Sequence, residues 1–154
     1  MNLKRKILTI ELLEELRSKN FESLMLYQNA GMRNKKLMLK NFFFRLSKQK
    51  EQCLREMEKL IKELQKQVYE IGKSNIPDFK SPKKTRSTLP PFYLPTKDDL
   101  QNCLVTEKNT LDNYISCLSK INDGRIRETL MCHRHKIKEM LLEMNIMGAN
   151  KYPV

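Results

Sequence analysis

Glu107 and His133 are the pair of side chains in this sequence best placed to do chemistry together. Both fall on the inward columns of helix-like segments, on either side of the turn Asn122-Asp123-Gly124, so that Glu107 faces the neighbourhood of His133. A carboxylate and an imidazole so placed could ligate a metal ion, or could satisfy each other inside a core, as buried polar groups generally must. The reading from spacing is a buried hydrogen-bonded pair, with the two residues only weak metal candidates. Lys50 also falls on an apolar column. Its stem can cover apolar surface while the ammonium reaches water; the alternative is an ion pair across the core to Glu22 or Glu107.

Other chemistry finds little support. Four dispersed glycines cannot build a phosphate-cradling loop, and turns and caps account for them. There is no G-x-S-x-G elbow. Cys132 and His133 are neighbours on a helix and therefore point about 100° apart. Cys53, Cys103, Cys117 and Cys132 lack a C-x-x-C spacing and read as reduced cysteines, three of them on or beside apolar stripes. The nine methionines read as core filler rather than as soft-metal ligands. No cofactor is implied, and the sequence names no reaction.

The elements that must position these residues are written twice. Shifted by 87 residues, the column Leu39, Phe43, Leu46, Lys50, Cys53, Met57, Leu60 falls on Ile126, Leu130, His133, Ile137, Met140, Met144, Met147 with its 4-3-4-3 spacing intact. The same shift carries Leu13, Leu16, Asn20, Leu24, Tyr27 onto Leu100, Cys103, Glu107, Leu111, Tyr114. One offset for two helices and their turn predicts a duplicated helical hairpin. The first helix is expected from Thr9, as cap, to Gly31, as C′ residue. Asn34 then caps a second helix running to Gly72, about 37 residues and so about 55 Å long. Residues 73–95, with Pro77, Pro82, Pro90, Pro91 and Pro95, read as a crossover whose apolar patch Leu89–Leu94 packs on the helices. Thr96 to Asp99 resembles a capping box opening a third helix to about Ile121. The fourth runs from about Arg125 to Met147 and is closed by Gly148. The expectation is a single all-α domain over 1–154: a four-helix bundle of two antiparallel hairpins, about 9–72 and 96–147, joined by a long crossover.

The residues Leu13-x-x-Leu16-x-x-x-Asn20-Phe21-x-x-Leu24-x-x-Tyr27, Leu39-x-x-x-Phe43-Phe44-Arg45-Leu46, the stretch Leu54 to Leu64 and the hairpin Leu100 to Met144 resemble the ferritin-like four-helix bundles. They are similar in particular to a family of small bacterial ferritin-like proteins of unknown function. Di-iron members of that superfamily supply a Glu from one helix of each hairpin and an E-x-x-H pair from the other. No E-x-x-H occurs here, and the repeat puts Asn20 and Leu46 where hairpin 2 has Glu107 and His133. The resemblance therefore implies the architecture with a degenerate metal site.

The formal net charge is +12. From Arg33 to Lys50 the basic residues Arg33, Lys35, Lys36, Lys40, Arg45, Lys48 and Lys50 meet no acidic one, and the crossover adds Lys83, Lys84 and Arg86. Such a face suits an acidic partner, nucleic acid or an anionic surface. The apolar run Ile7–Ile10 stops at Glu11, too short for a signal peptide, and no stretch reaches the roughly 20 apolar residues of a span. A cytoplasmic location is expected. The second helix outruns the fourth, so Leu60, Leu64, Val68 and Ile71 are expected to form the seam of a homodimer. The leading functional expectation is a non-enzymatic bundle working through self-association or protein binding. The alternatives are nucleic-acid or anionic-surface binding through the basic face, and a metal-dependent oxidase or iron-handling protein.

Overall fold

The computed structural model describes residues 2–75 and 99–151, and four helices account for nearly all of them. These are α1 (Leu3–Arg33), α2 (Leu37–Asn75), α3 (Asp99–Lys120) and α4 (Gly124–Lys151). No strand occurs among the described residues. Thr96, the Leu89–Leu94 patch and the basic residues Lys83, Lys84 and Arg86 lie outside them.

Capping chemistry sets the ends differently from the sequence reading. Asn2 caps α1, its side chain accepting from the Arg5 N–H at 2.8 Å, so α1 begins six residues before Thr9. Thr9 lies inside the helix and its hydroxyl donates back to the Arg5 carbonyl. At the other end Asn34 caps α1 rather than α2: both its backbone N–H and its side-chain amide donate to the Ala30 carbonyl. Gly31 is accordingly helical and buried, not a C′ residue, and a Cβ there would stand 3.0 Å from the Phe44 ring. Its value is the close approach of α2. Gly148 likewise sits within α4, against Leu100. In the α3–α4 turn Asp123 accepts from the Ile126 N–H, and the Arg127 guanidinium donates to the carbonyls of Leu118 and Ile121.

One apolar cluster draws on all four helices, including Leu13, Leu16, Phe43, Leu46, Met57, Tyr114, Leu130, Ile137 and Met144. α1 packs along α2 and against α3, and α4 packs against α3 and α2, so that α1 and α4 stand across the core from one another. The contacts between helices rise along one and fall along the other. Arg17 meets Glu58 and Gln28 meets Glu51; on the far side Arg45 meets Glu143 and Arg125 meets Glu63.

Three of the four side chains expected to form a dimer seam are covered within the chain itself. Leu60, Leu64 and Val68 are buried within the chain, in the same cluster against which Leu3 and Ile7 of the extra α1 turns are packed. The first helix, longer than its Thr9 start implied, adds Leu3 and Ile7 to that cluster. Ile71 is half-buried.

A candidate functional site in the core

Asn20, Lys50, Glu107, Tyr114 and His133 are buried at the centre of the four helices, and they form one continuous polar chain. Lys50 Nζ donates to Glu107 Oε2 at 2.7 Å and to Asn20 Oδ1 at 2.9 Å, with no exposure of either charged side chain. Glu107 takes a further 2.6 Å bond from the Tyr27 hydroxyl on Oε1 and a 3.4 Å contact from Ser23. Charge-assisted bonds of this length are the strong kind, and they act against the cost of taking both charges out of water. Asn20 Nδ2 donates to the Leu16 carbonyl and, at 2.8 Å, to the Tyr114 oxygen.

From Tyr114 the chain runs outward. Its hydroxyl lies 3.0 Å from His133 Nδ1, and His133 Nε2 lies 3.0 Å from Glu56 Oε2 on the partly exposed edge of α2. The donor directions follow from chemistry. A carboxylate only accepts, so His133 Nε2–H donates to Glu56; Nδ1 of the neutral ring then accepts from the Tyr114 O–H, leaving the Tyr114 oxygen to accept from Asn20. Burial pushes the His133 imidazole below its ordinary value despite the pull of Glu56, in keeping with a neutral ring. Burial also pushes Glu56 upward, but the hydrogen bonds from His133 and Gln52 outweigh it and hold the carboxyl low. The phenols of Tyr27 and Tyr114 are driven well up by burial and by the charge of Glu107. Among the described residues no buried side-chain nitrogen or oxygen lacks a partner.

The two repeats meet in this site. Tyr27 bonds Glu107 and Tyr114 bonds Asn20, and the 87-residue offset exchanges these two pairs. Lys50 lies between the repeat-related Asn20 and Glu107 and is held by both. Its counterpart at the offset is Ile137, so the hairpins depart from one another at the residue that carries the charge.

The chain matches no protein-family model, no curated protein and no solved structure. Its chemistry must be read from its own residues.

Those residues correct two readings. Glu107 and His133 are both in the core but are not partners: Lys50, Asn20 and Tyr114 intervene. Lys50 does not snorkel; the ion pair with Glu107 is the arrangement found, and Glu22 takes no part. Nor does the centre suit a divalent cation, since an ammonium already occupies the space between its two oxygen donors, and a second cation beside it would meet repulsion. Among the described residues no three His, Cys, Asp or Glu side chains converge. Cys53, Cys103 and Cys117 are buried and reduced, and Cys132 is exposed. Burial raises the thiols of Cys103 to about 12 and Cys117 to about 11, so neither offers a thiolate near neutral pH.

Sequence spacing missed Glu56 and Ser23. Glu56 sits beside the inward Met57, off the column, and only the placement of His133 on α4 gives it a role. On the basic face Arg33 is bound to Asp99 at 2.6 Å and Arg45 to Glu143 at 2.5 Å, while Lys35, Lys36 and Lys48 are exposed and Lys40 is half-buried.

Proposed function

We propose that this protein is a non-enzymatic ferritin-like bundle that works through association, its core held by a fixed charge where metal-dependent relatives of the fold would hold a metal. The observation that carries the reading is the Lys50 ammonium bound between Asn20 and Glu107, the repeat-related positions from which such a bundle would offer its single carboxylates. An internal cation of this kind supplies positive charge without an open coordination position, so it can organise the helices and cannot activate an oxidant.

The ferritin-like topology is supported by the opposed sense of the contacts between α1 and α2 and between α3 and α4. Tyr27–Glu107 and Asn20–Tyr114 repeat that sense between α1 and α3. With α2 and α4 opposed as well, α2 and α3 point the same way, which requires a crossover rather than a hairpin turn between them. For association, α3 and α4 offer exposed Val105, Ile115, Met131, Leu142 and Ile146. The α2 seam offers less, because Leu60, Leu64 and Val68 are already buried within the chain.

Elemental analysis of protein purified without chelator, then incubated with Fe(II), Mn(II) or Zn(II) and desalted, is the deciding test. Sub-stoichiometric metal is expected in every case. A stoichiometric ion removed by Glu107→Gln would overturn the reading. Light scattering across a concentration series tests the association: a rise in mass reversed by Leu142→Glu is expected if the partner is a second copy.

A further inference from the structure

At the α1–α2 corner three large apolar side chains stand in water: Met32 (63% exposed), Leu37 (70%) and Met38 (73%). The turn that carries them also carries exposed Lys35 and Lys36, with half-buried Lys40 one helical turn on. No acidic residue occurs from Arg33 to Lys50. Among the described residues, Asp99 and Glu143 near this end are already engaged, by Arg33 and Arg45. Among the described residues Lys35, Lys36 and Lys40 make no ion pair, so their charge faces outward uncompensated.

We propose that this corner is a docking site for an anionic phospholipid bilayer, with Met32, Leu37 and Met38 entering the headgroup boundary and Lys35, Lys36 and Lys40 meeting lipid phosphates. The combination favours lipid over nucleic acid. A nucleic-acid phosphate backbone rewards the lysines but gives no return for three exposed apolar side chains, and among the described residues the aromatic rings beside the corner are packed inward, Phe42 and Phe43 buried and Phe44 half-buried against Gly31. A bilayer interface rewards both, through apolar burial and the negative potential of its surface. No helix among the described residues is long and apolar enough to cross a membrane, so attachment here is peripheral. The inference stands apart from the proposed function, since it uses neither the core site nor the outer faces of α3 and α4.

The chain contains no Trp, so Met38→Trp supplies a single fluorescent reporter at an exposed position. With vesicles of phosphatidylcholine containing about a third phosphatidylglycerol, we expect a blue shift, quenching by brominated acyl chains, and co-sedimentation that weakens as salt is raised. Pure phosphatidylcholine vesicles should bind far more weakly. Lys35→Gln with Lys36→Gln should weaken partitioning about 25-fold, at about fivefold for each lysine. Leu37→Ser with Met38→Ser, in the otherwise native chain, should weaken it about tenfold while keeping its dependence on salt. All these positions are exposed, and an unchanged thermal melt shows that each variant is folded. The proposal is overturned if the protein stays in the supernatant with anionic vesicles at low salt, or if the reporter binds without a blue shift. It is equally overturned if the serine pair binds as well as the native chain, or if duplex DNA is bound more tightly than the vesicles at equal salt.

Discussion

Lys50 is the residue on which the core depends. Its ammonium is fully buried, so removing one partner leaves the other charge uncompensated in a medium that solvates it poorly. Lys50→Met should therefore cost about 3–5 kcal/mol in urea unfolding, and Glu107→Leu a similar amount. The double variant should recover much of the loss, because two apolar side chains of similar volume leave no orphaned charge. Additive losses in that cycle would mean that the two groups are not coupled. His133 sets the acid limit. Its folded affinity for a proton lies below the ordinary value of 6.5 because burial opposes the charged ring. Below that ordinary value the unfolded chain takes up a proton that the native ring resists, so the native state is fully favoured above it and loses stability as pH falls toward the depressed folded value. Protonation would also turn Nδ1 into a donor facing the Tyr114 hydroxyl and break the donor sequence. Glu56, held low, contributes in the same direction but further down, through the carboxylate range. Thermal melts of the native chain should fall between pH 7.5 and 5.5, and His133→Gln should flatten that part of the profile; equal slopes would remove His133 as the cause.

At the scale of the helices, the first two turns of α1 do the work that the sequence reading assigned to a second subunit. Ile7 is packed, partly buried, against the cluster that contains Leu60, Leu64 and Val68. Ile7→Ala should cost about 1–2 kcal/mol. Deleting residues 2–8 should uncover that end of α2 and lower the stability to urea by more than Ile7→Ala does; a truncated chain as stable as the native one would show that α1 does not cover those side chains. Periodicity made all four helices legible, since the apolar columns at 3-4 spacing became the observed core almost residue for residue. Helix ends were less legible. Thr9, Gly31 and Gly148 are residue types that often cap, yet tertiary packing decided each: Leu3 and Ile7 had apolar surface to bury, and the two glycines serve close contacts with Phe44 and Leu100. In the site, inward placement of Asn20, Lys50, Glu107 and His133 was legible from the same columns. Their pairing was not, because a column fixes a helix face and not which residue of an opposing helix stands at its level.

For the molecule as a whole, the charge of +12 and the buried ion pair respond to salt in different ways. The ion pairs between helices, Arg17–Glu58, Arg33–Asp99, Arg45–Glu143 and Arg125–Glu63, lie at or near the surface, where such pairs are worth about 0–1 kcal/mol each and weaken as salt is added. Against them stands the mutual repulsion of a large positive excess, which opposes the compact state and is screened over about 8 Å at physiological ionic strength. With 30 basic residues against 18 acidic ones, repulsion outweighs the few surface pairs. Raising sodium chloride from about 0.02 to about 0.3 M should therefore raise the melting temperature by a few degrees. Chloride is the suitable salt, since sulfate would stabilise by exclusion from the surface whatever the charge. The coupling of Lys50 to Glu107 should be the same at both concentrations, because counter-ions do not reach a pair with no exposure. A melting temperature that falls with chloride would mean that the surface pairs dominate, and a coupling that shrinks with chloride would mean that water and ions enter the core.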